Sequence, residues 1–174
     1  MLQSIDEKPY TEILDGRAVQ KVSPKTIHSI LQFRIAAIVQ MLAGDRGFVG
    51  TEWRFYMDPP GGLQTSLVSD VAFVYSERLY ALGSREQREK PPFSPDIAIE
   101  LRSPGDKPSD VEWKMHAYIT MGGTIAFDVL PELRQVCVYT HDAVQTLGHG
   151  DRFACDAVPW LVFEVRDLFA GIPD

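Results

Sequence analysis

The chain has 174 residues, with 17 Lys and Arg against 24 Asp and Glu, 45% hydrophobic and 24% charged residues. That describes one soluble globular domain over residues 1–174, which buries roughly 70% of its unfolded surface, and it excludes a disordered chain or a mini-protein scaffold. The net charge of −7 excludes a strongly basic nucleic-acid coat, because non-specific affinity for phosphates comes from an excess of Lys and Arg, and it leaves room for a local basic groove.

Residues 10–22, YTEILDGRAVQKV, read as two short strands around Asp15-Gly16, a dipeptide suited to a type I′ hairpin turn because both central residues need positive φ. Ser23-Pro24 offers an N-cap followed by proline at the first helical position, and Ile27, Ile30, Leu31, Ile35, Ile38 and Leu42 recur at helical spacing up to Gly44. The aromatic and β-branched run from Phe48 to Met57 reads as a strand stopped by Pro59-Pro60-Gly61-Gly62. Residues 67–75, LVSDVAFVY, read as another, with Asp70 the polar exception on the face of Ala72 and Val74. Residues 76–92 are charge-rich and end at Pro91-Pro92, the composition of a solvated excursion between strands.

In SPDIAIELRSPGD the alternation is strict, with Ile97, Ile99 and Leu101 on one face and Asp96, Ala98, Glu100 and Arg102 on the other. It predicts a strand with one core face and one charged face. A helix from about Ser109 to Met121 follows, capped by Ser109 with Glu112 three residues on, and Gly122-Gly123 stop it. TIAFDVL and RQVCVYT read as strands joined at Pro131-Glu132, Gly148 to Asp151 as a hairpin connection, and VPWLVFEV as a last strand or edge segment. Cys137 and Cys155 form no CxxC pair and are expected to be reduced, buried thiols. The amino terminus is acidic early and the apolar stretch 35–43 is broken by Gln40, so no signal peptide or membrane span is expected and the cytoplasm is the expected compartment.

Two acids on consecutive strands, Asp70 and Glu100, with Arg102 two positions after Glu100, suit a hard divalent cation. Mg²⁺ takes oxygen ligands and keeps waters, so two carboxylates and a backbone carbonyl such as that of Leu101 would suffice. Such an ion activates water and stabilises charge on a scissile phosphate. The competing interpretation of Glu100 and Arg102 is an exposed same-face ion pair worth at most about 1 kcal/mol. For Lys114 it is a helix-surface pair with Asp110 at i, i+4. There is no GxSxG, Walker or Rossmann glycine pattern.

Glu12-Ile13-Leu14-Asp15-Gly16, His28, Asp70, Pro95-Asp96-Ile97-Ala98-Ile99-Glu100, Ser103-Pro104, Lys114, Tyr118, Gly122 and Asp128 fall in the order and approximate spacing of the Uma2 family, which the chain resembles from about Tyr10 to Phe169. The resemblance implies a restriction-endonuclease-like PD-(D/E)xK fold and a metal-dependent endonuclease acting on nucleic acid, with DNA the first expectation. It implies Asp70 and Glu100 as ligands of Mg²⁺ or Mn²⁺ and Lys114 as the catalytic lysine, while Arg102 occupies the usual lysine slot of the wider superfamily. Arginine stays protonated, so Arg102 can hold a phosphate but cannot act as a base. The roles of Glu12, His28 and Asp96 stay open, Asp96 between metal binding and capping of backbone N–H groups. Tyr118 is expected to pack and to orient Lys114.

The expected architecture is α/β, a central mixed sheet with one helix before it and another crossing over after the Glu100 strand. Residues 141–174 hold six acids against two arginines, a poor surface for DNA. Two rival classes therefore stand beside the nuclease: a catalytically inactive nuclease-fold binding or assembly module, and a purely structural self-association domain. A homodimer is expected, through apolar surface of Phe48 to Met57 and of VPWLVFEV.

Overall fold

A computed structural model describes residues 8–21, 25–58 and 62–173. Strands β1 (Thr11–Leu14) and β2 (Arg17–Gln20) form the expected hairpin, with Asp15 at φ 49° and Gly16 at φ 74°. The predicted start of the next helix, Ser23-Pro24, lies outside the described residues, as do Pro59, Pro60 and Gly61 of the predicted strand stop. Helix α1 (Thr26–Ala43) buries Leu31, Ile35, Val39 and Ala43 along one stripe and ends at Gly44, whose N–H bonds Gln40 O. Among the described residues it is the one helix long and apolar enough, by length and composition, to cross a membrane. Here its buried stripe packs on the sheet.

Strand β3 (Gly47–Tyr56) pairs with β4 (Ser66–Tyr75) along nearly its whole length. At Gly47 a Cβ would lie 2.2 Å from Val74 O, so only glycine allows the two strands to meet there. The excursion after β4 contains two short helices, α2 (Ser76–Tyr80) and α3 (Arg85–Glu89), the latter capped by Ser84. Then come β5 (Ile97–Leu101), α4 (Pro108–Thr120), β6 (Ile125–Leu130), a 3₁₀ turn over Pro131–Leu133, and β7 (Gln135–Tyr139). The chain closes with β8 (Val144–Leu147), β9 (Arg152–Phe153), β10 (Phe163–Glu164) and α5 (Val165–Phe169).

The main sheet runs β2-β1-β4-β5-β6-β7-β8, with β3 also paired to β4, and β9 with β10 forms a separate ribbon. Among the described residues only β5 and β6 pair in parallel, as a crossover through α4 allows. The sheet is therefore mixed and mostly antiparallel, with α1 and α5 on one face and α4 on the other.

Several expectations change. Both faces of β5 are covered: Ile97, Ile99 and Leu101 pack with α1, Ala98 packs with Met115 and Tyr118 of α4, and Glu100 is only 6% exposed. Helix α4 begins at Pro108 without a side-chain cap, so Ser109 lies inside it; proline at the first turn presets φ and makes the cap dispensable. Of VPWLVFEV only Phe163–Glu164 is strand, and Val158, Leu161 and Val165 are core, so this segment offers little surface for self-association. Gly148 to Asp151 is a turn held by Asp151 N–H to Gly148 O, but β8 and β9 belong to different sheets. Both cysteines are free and half-buried.

Candidate active site

The site forms where the sheet forks. One edge of β4 is shared by β1, which pairs only at Ser66, and by β5, which pairs only at Val71 to Phe73. Neither strand pairs with residues 67–70, and buried backbone groups left this way need other partners. Side chains supply them: Glu12 Oε1 accepts from Val68 N–H at 2.8 Å, Lys21 Nζ donates to Val68 O at 2.7 Å, and Asp70 Oδ2 accepts from Leu101 N–H at 2.7 Å. On the other edge Glu52 faces Asp70 with φ 52°, and the β3–β4 register passes from Thr51–Val71 to Trp53–Ser69. Gln32 of α1 covers this lapse, its Nε2 donating to Asp70 O at 2.9 Å and to Glu52 Oε1 at 3.0 Å. A non-glycine residue in the left-handed region costs roughly 1–3 kcal/mol, and it is found here beside the site.

Fork, hairpin and α4 together enclose a cleft of about 310 Å³ lined by Glu12, Lys21, His28, Asp70, Glu100 and Lys114, with Arg17, Arg102 and Lys107 among its other walls. Lys114 projects from the face of α4 that meets the sheet. Its Nζ lies 2.6 Å from Glu100 Oε2 and 3.1 Å from Glu12 Oε1. The surface pair with Asp110 does not form, because Asp110 bonds Arg17 at 2.6 Å. One turn further along, Tyr118 is fully buried and donates its O–H to Glu100 Oε1 at 2.8 Å, so it orients the glutamate and not the lysine. Lys21 Nζ sits 2.7 Å from Asp70 Oδ1, and His28 Nε2 lies 3.3 Å from Asp70 Oδ2.

Burial and charge act against each other on each group. Burial pushes Glu100 up, to about 7, and outweighs the pull of Lys114 and Lys21. Burial alone would also raise Asp70, but Lys21 and the His28 and Leu101 N–H donors hold it well below the usual carboxylate range. For Lys21 and Lys114 burial favours the neutral amine, and the surrounding carboxylates overcome it, keeping both ammoniums charged. For His28 the burial effect is likewise overcome by its bond to Asp70, which raises its pKa. Tyr118 is raised by burial and by Glu100. The two carboxylates thus differ: Asp70 stays ionised, and Glu100 holds a proton up to neutrality.

Of the residues singled out from sequence, Asp70, Glu100, Lys114, Glu12 and His28 meet in this cleft. Arg102 lines it too, but its guanidinium bonds Asp128 Oδ2. Asp96 stands elsewhere, accepting from Tyr75 N–H at 2.9 Å and from Arg78 at 2.7 Å, and serves the turn into α2. Sequence reasoning missed Lys21, Glu52 and Gln32. No local pattern marks them, since their roles depend on where the hairpin and α1 dock on β4.

Among the described residues no group of three or more His, Cys, Asp or Glu side chains is arranged to hold a metal ion. Asp70 and Glu100 nonetheless line one cleft, where Asp70 Oδ1 faces the Lys21 ammonium. Mg²⁺ takes one or two carboxylates and completes its octahedron with water or substrate oxygens, so this donor set fits a hard, hydrated divalent cation.

A forked α/β/α sheet with two acids and a lysine converging beneath a crossover helix is the restriction-endonuclease-like architecture. The family Uma2, described as "Putative restriction endonuclease", matches residues 1–166, and the chain belongs to that family. Among solved structures it is similar to a crystal structure described as a "putative nuclease belonging to DUF820" from Anabaena variabilis ATCC 29413, with 20% identity, a TM-score of 0.83, and coverage of 94% of this chain and 92% of that one. No curated protein matches the chain.

Proposed function

We infer that this protein is a divalent-metal-dependent endonuclease that hydrolyses phosphodiester bonds of nucleic acid, DNA first, as a single domain over residues 1–174 in the cytoplasm. The observation that carries this reading is the buried juxtaposition of Asp70, Glu100 and Lys114 in an open cleft, where burying such charges is costly unless function retains them. Asp70 and Glu100 would hold Mg²⁺ or Mn²⁺, which lowers the pKa of a water and neutralises charge on the scissile phosphate. Lys114, kept protonated by Glu100 and Glu12, orients the attacking water and meets the phosphate charge as a cation and not as a base. Lys107 on the cleft wall adds a cation beside Lys114 there, while Arg17 is paired with Asp110. Arg102, tied to Asp128, sets the cleft wall and is placed for phosphate contact.

The inactive-module alternative is favoured by one specific feature: both oxygens of Glu100 are already engaged, by Tyr118 and Lys114. Calorimetry with Mn²⁺ separates the two. The nuclease reading predicts binding that Glu100→Ala abolishes, and equal binding by both proteins would remove the site assignment.

Self-association belongs to the same reading. The outward stripe of α1 leaves Phe33 77% and Met41 73% exposed, and a homodimer would cover it.

A further inference from the structure

Lys21 has no part in the mechanism above, yet its ammonium stands 2.7 Å from the proposed metal ligand Asp70. Its backbone is pinned by Lys21 N–H to Tyr10 O at 2.8 Å, and its ammonium by donation to Val68 O at 2.7 Å. The side chain is 13% exposed and lines the cleft. Asp70 Oδ2 is taken by Leu101 N–H and faces His28, which leaves Oδ1 as the oxygen whose partner is a side-chain cation and not a backbone donor. Lys21 Nζ stands 2.7 Å from that oxygen as its ion-pair partner. The ammonium is thus held both by Val68 O and by the Asp70 carboxylate. Three carboxylates, of Glu12, Asp70 and Glu100, face the two ammoniums of Lys21 and Lys114.

We propose that Lys21 is a tethered competitor for the divalent ion, a resident cation that holds the place on Asp70 Oδ1 and sets the ion concentration at which the site fills. This rests on the nuclease reading only in taking Asp70 and Glu100 as the ion's ligands. A fixed unit charge a few ångströms from a divalent ion in a partly desolvated cleft opposes its binding strongly. Lys21 is thus a positioning residue that acts through Asp70.

The test is a Mn²⁺ titration followed by the electron paramagnetic resonance signal of the free ion. Wild type is compared with Lys21→Gln, which can still donate to Val68 O, with Lys21→Met, and with Lys21→Arg, which keeps the charge. Circular dichroism checks the fold of each. The proposal expects Lys21→Gln, or Lys21→Met if only that variant folds, to bind Mn²⁺ about tenfold tighter or more, with Lys21→Arg near wild type. Affinity unchanged or weakened in the neutral variants, or no binding by any of the four proteins, overturns it. Tighter binding without cleavage of any nucleic acid would uphold the role of Lys21 and count against the nuclease reading instead, so the two fail separately.

Discussion

Glu100 is bonded at both oxygens and still holds its proton up to about pH 7, because burial outweighs the two lysines. In the unfolded chain the same carboxyl ionises near 4.5. Raising the pH between these values charges the unfolded state first, so the folded state binds more protons and stability drains away. Asp70 acts in the opposite sense, adding stability above 3.8 that is lost as pH falls, and comparison with a Glu100 variant cancels it. Glu100→Gln cannot titrate. Urea unfolding should show wild type losing stability relative to Glu100→Gln from about pH 4.5 to 7, by up to about 1.4 kcal/mol per pH unit; parallel pH profiles would contradict the protonated Glu100. Asp70, Glu100 and Lys114 were legible in the sequence because each lies in or beside a strongly patterned segment. Lys21 and Glu52 were not, because an end-of-strand lysine and a mid-strand glutamate read as solvated until the fork in β4 brings them together.

Helix α4 places both Lys114 and Tyr118, and after it the chain turns through Gly122-Gly123 into β6. A Cβ on Gly123 would meet Tyr118 O at 2.6 Å and Pro95 O at 2.9 Å, backbone atoms that cannot yield as a flexible side chain does. Gly123→Ala should cost about 1–3 kcal/mol in thermal or urea unfolding, and an unchanged midpoint would show that the α4–β6 turn does not constrain the helix. The elements themselves were readable where period and punctuation agree, as in the Asp15-Gly16 hairpin and the Ile97, Ile99, Leu101 alternation. The second face of β5 was not readable. Glu100 looks like a solvent residue along the chain and is covered only because α4, from residues further on, lays a buried lysine over it. The final segment 158–165 reads as strand by its composition, but only Phe163–Glu164 pairs, with β9, and Val158, Leu161 and Val165 fill the core beneath α1.

At the scale of the molecule, Ile30, Phe33 and Met41 recur on one face of α1 and are 39%, 77% and 73% exposed, an apolar stripe opposite the one that packs on the sheet. Light scattering should give twice the chain mass of 19.5 kDa for wild type, and Phe33→Glu should shift it toward the monomer; a wild-type monomer at high concentration would remove the dimer. The acidic segment 141–174 lies away from the cleft lining, where Arg17, Lys107 and the buried lysines offset the acids, so the overall negative charge does not itself oppose a local nucleic-acid contact. The most direct test of the nuclease site is cleavage itself. Plasmid, single-stranded DNA and RNA are each incubated with wild type and with Lys114→Met, in Mg²⁺, in Mn²⁺ and in chelator. The fold of the variant should survive because Glu100 can stay protonated once its partner is gone. We expect metal-dependent cleavage of at least one substrate by wild type, reduced about a hundredfold or more in Lys114→Met. Equally fast cleavage by both proteins, or none by wild type with any substrate and either metal, would contradict it.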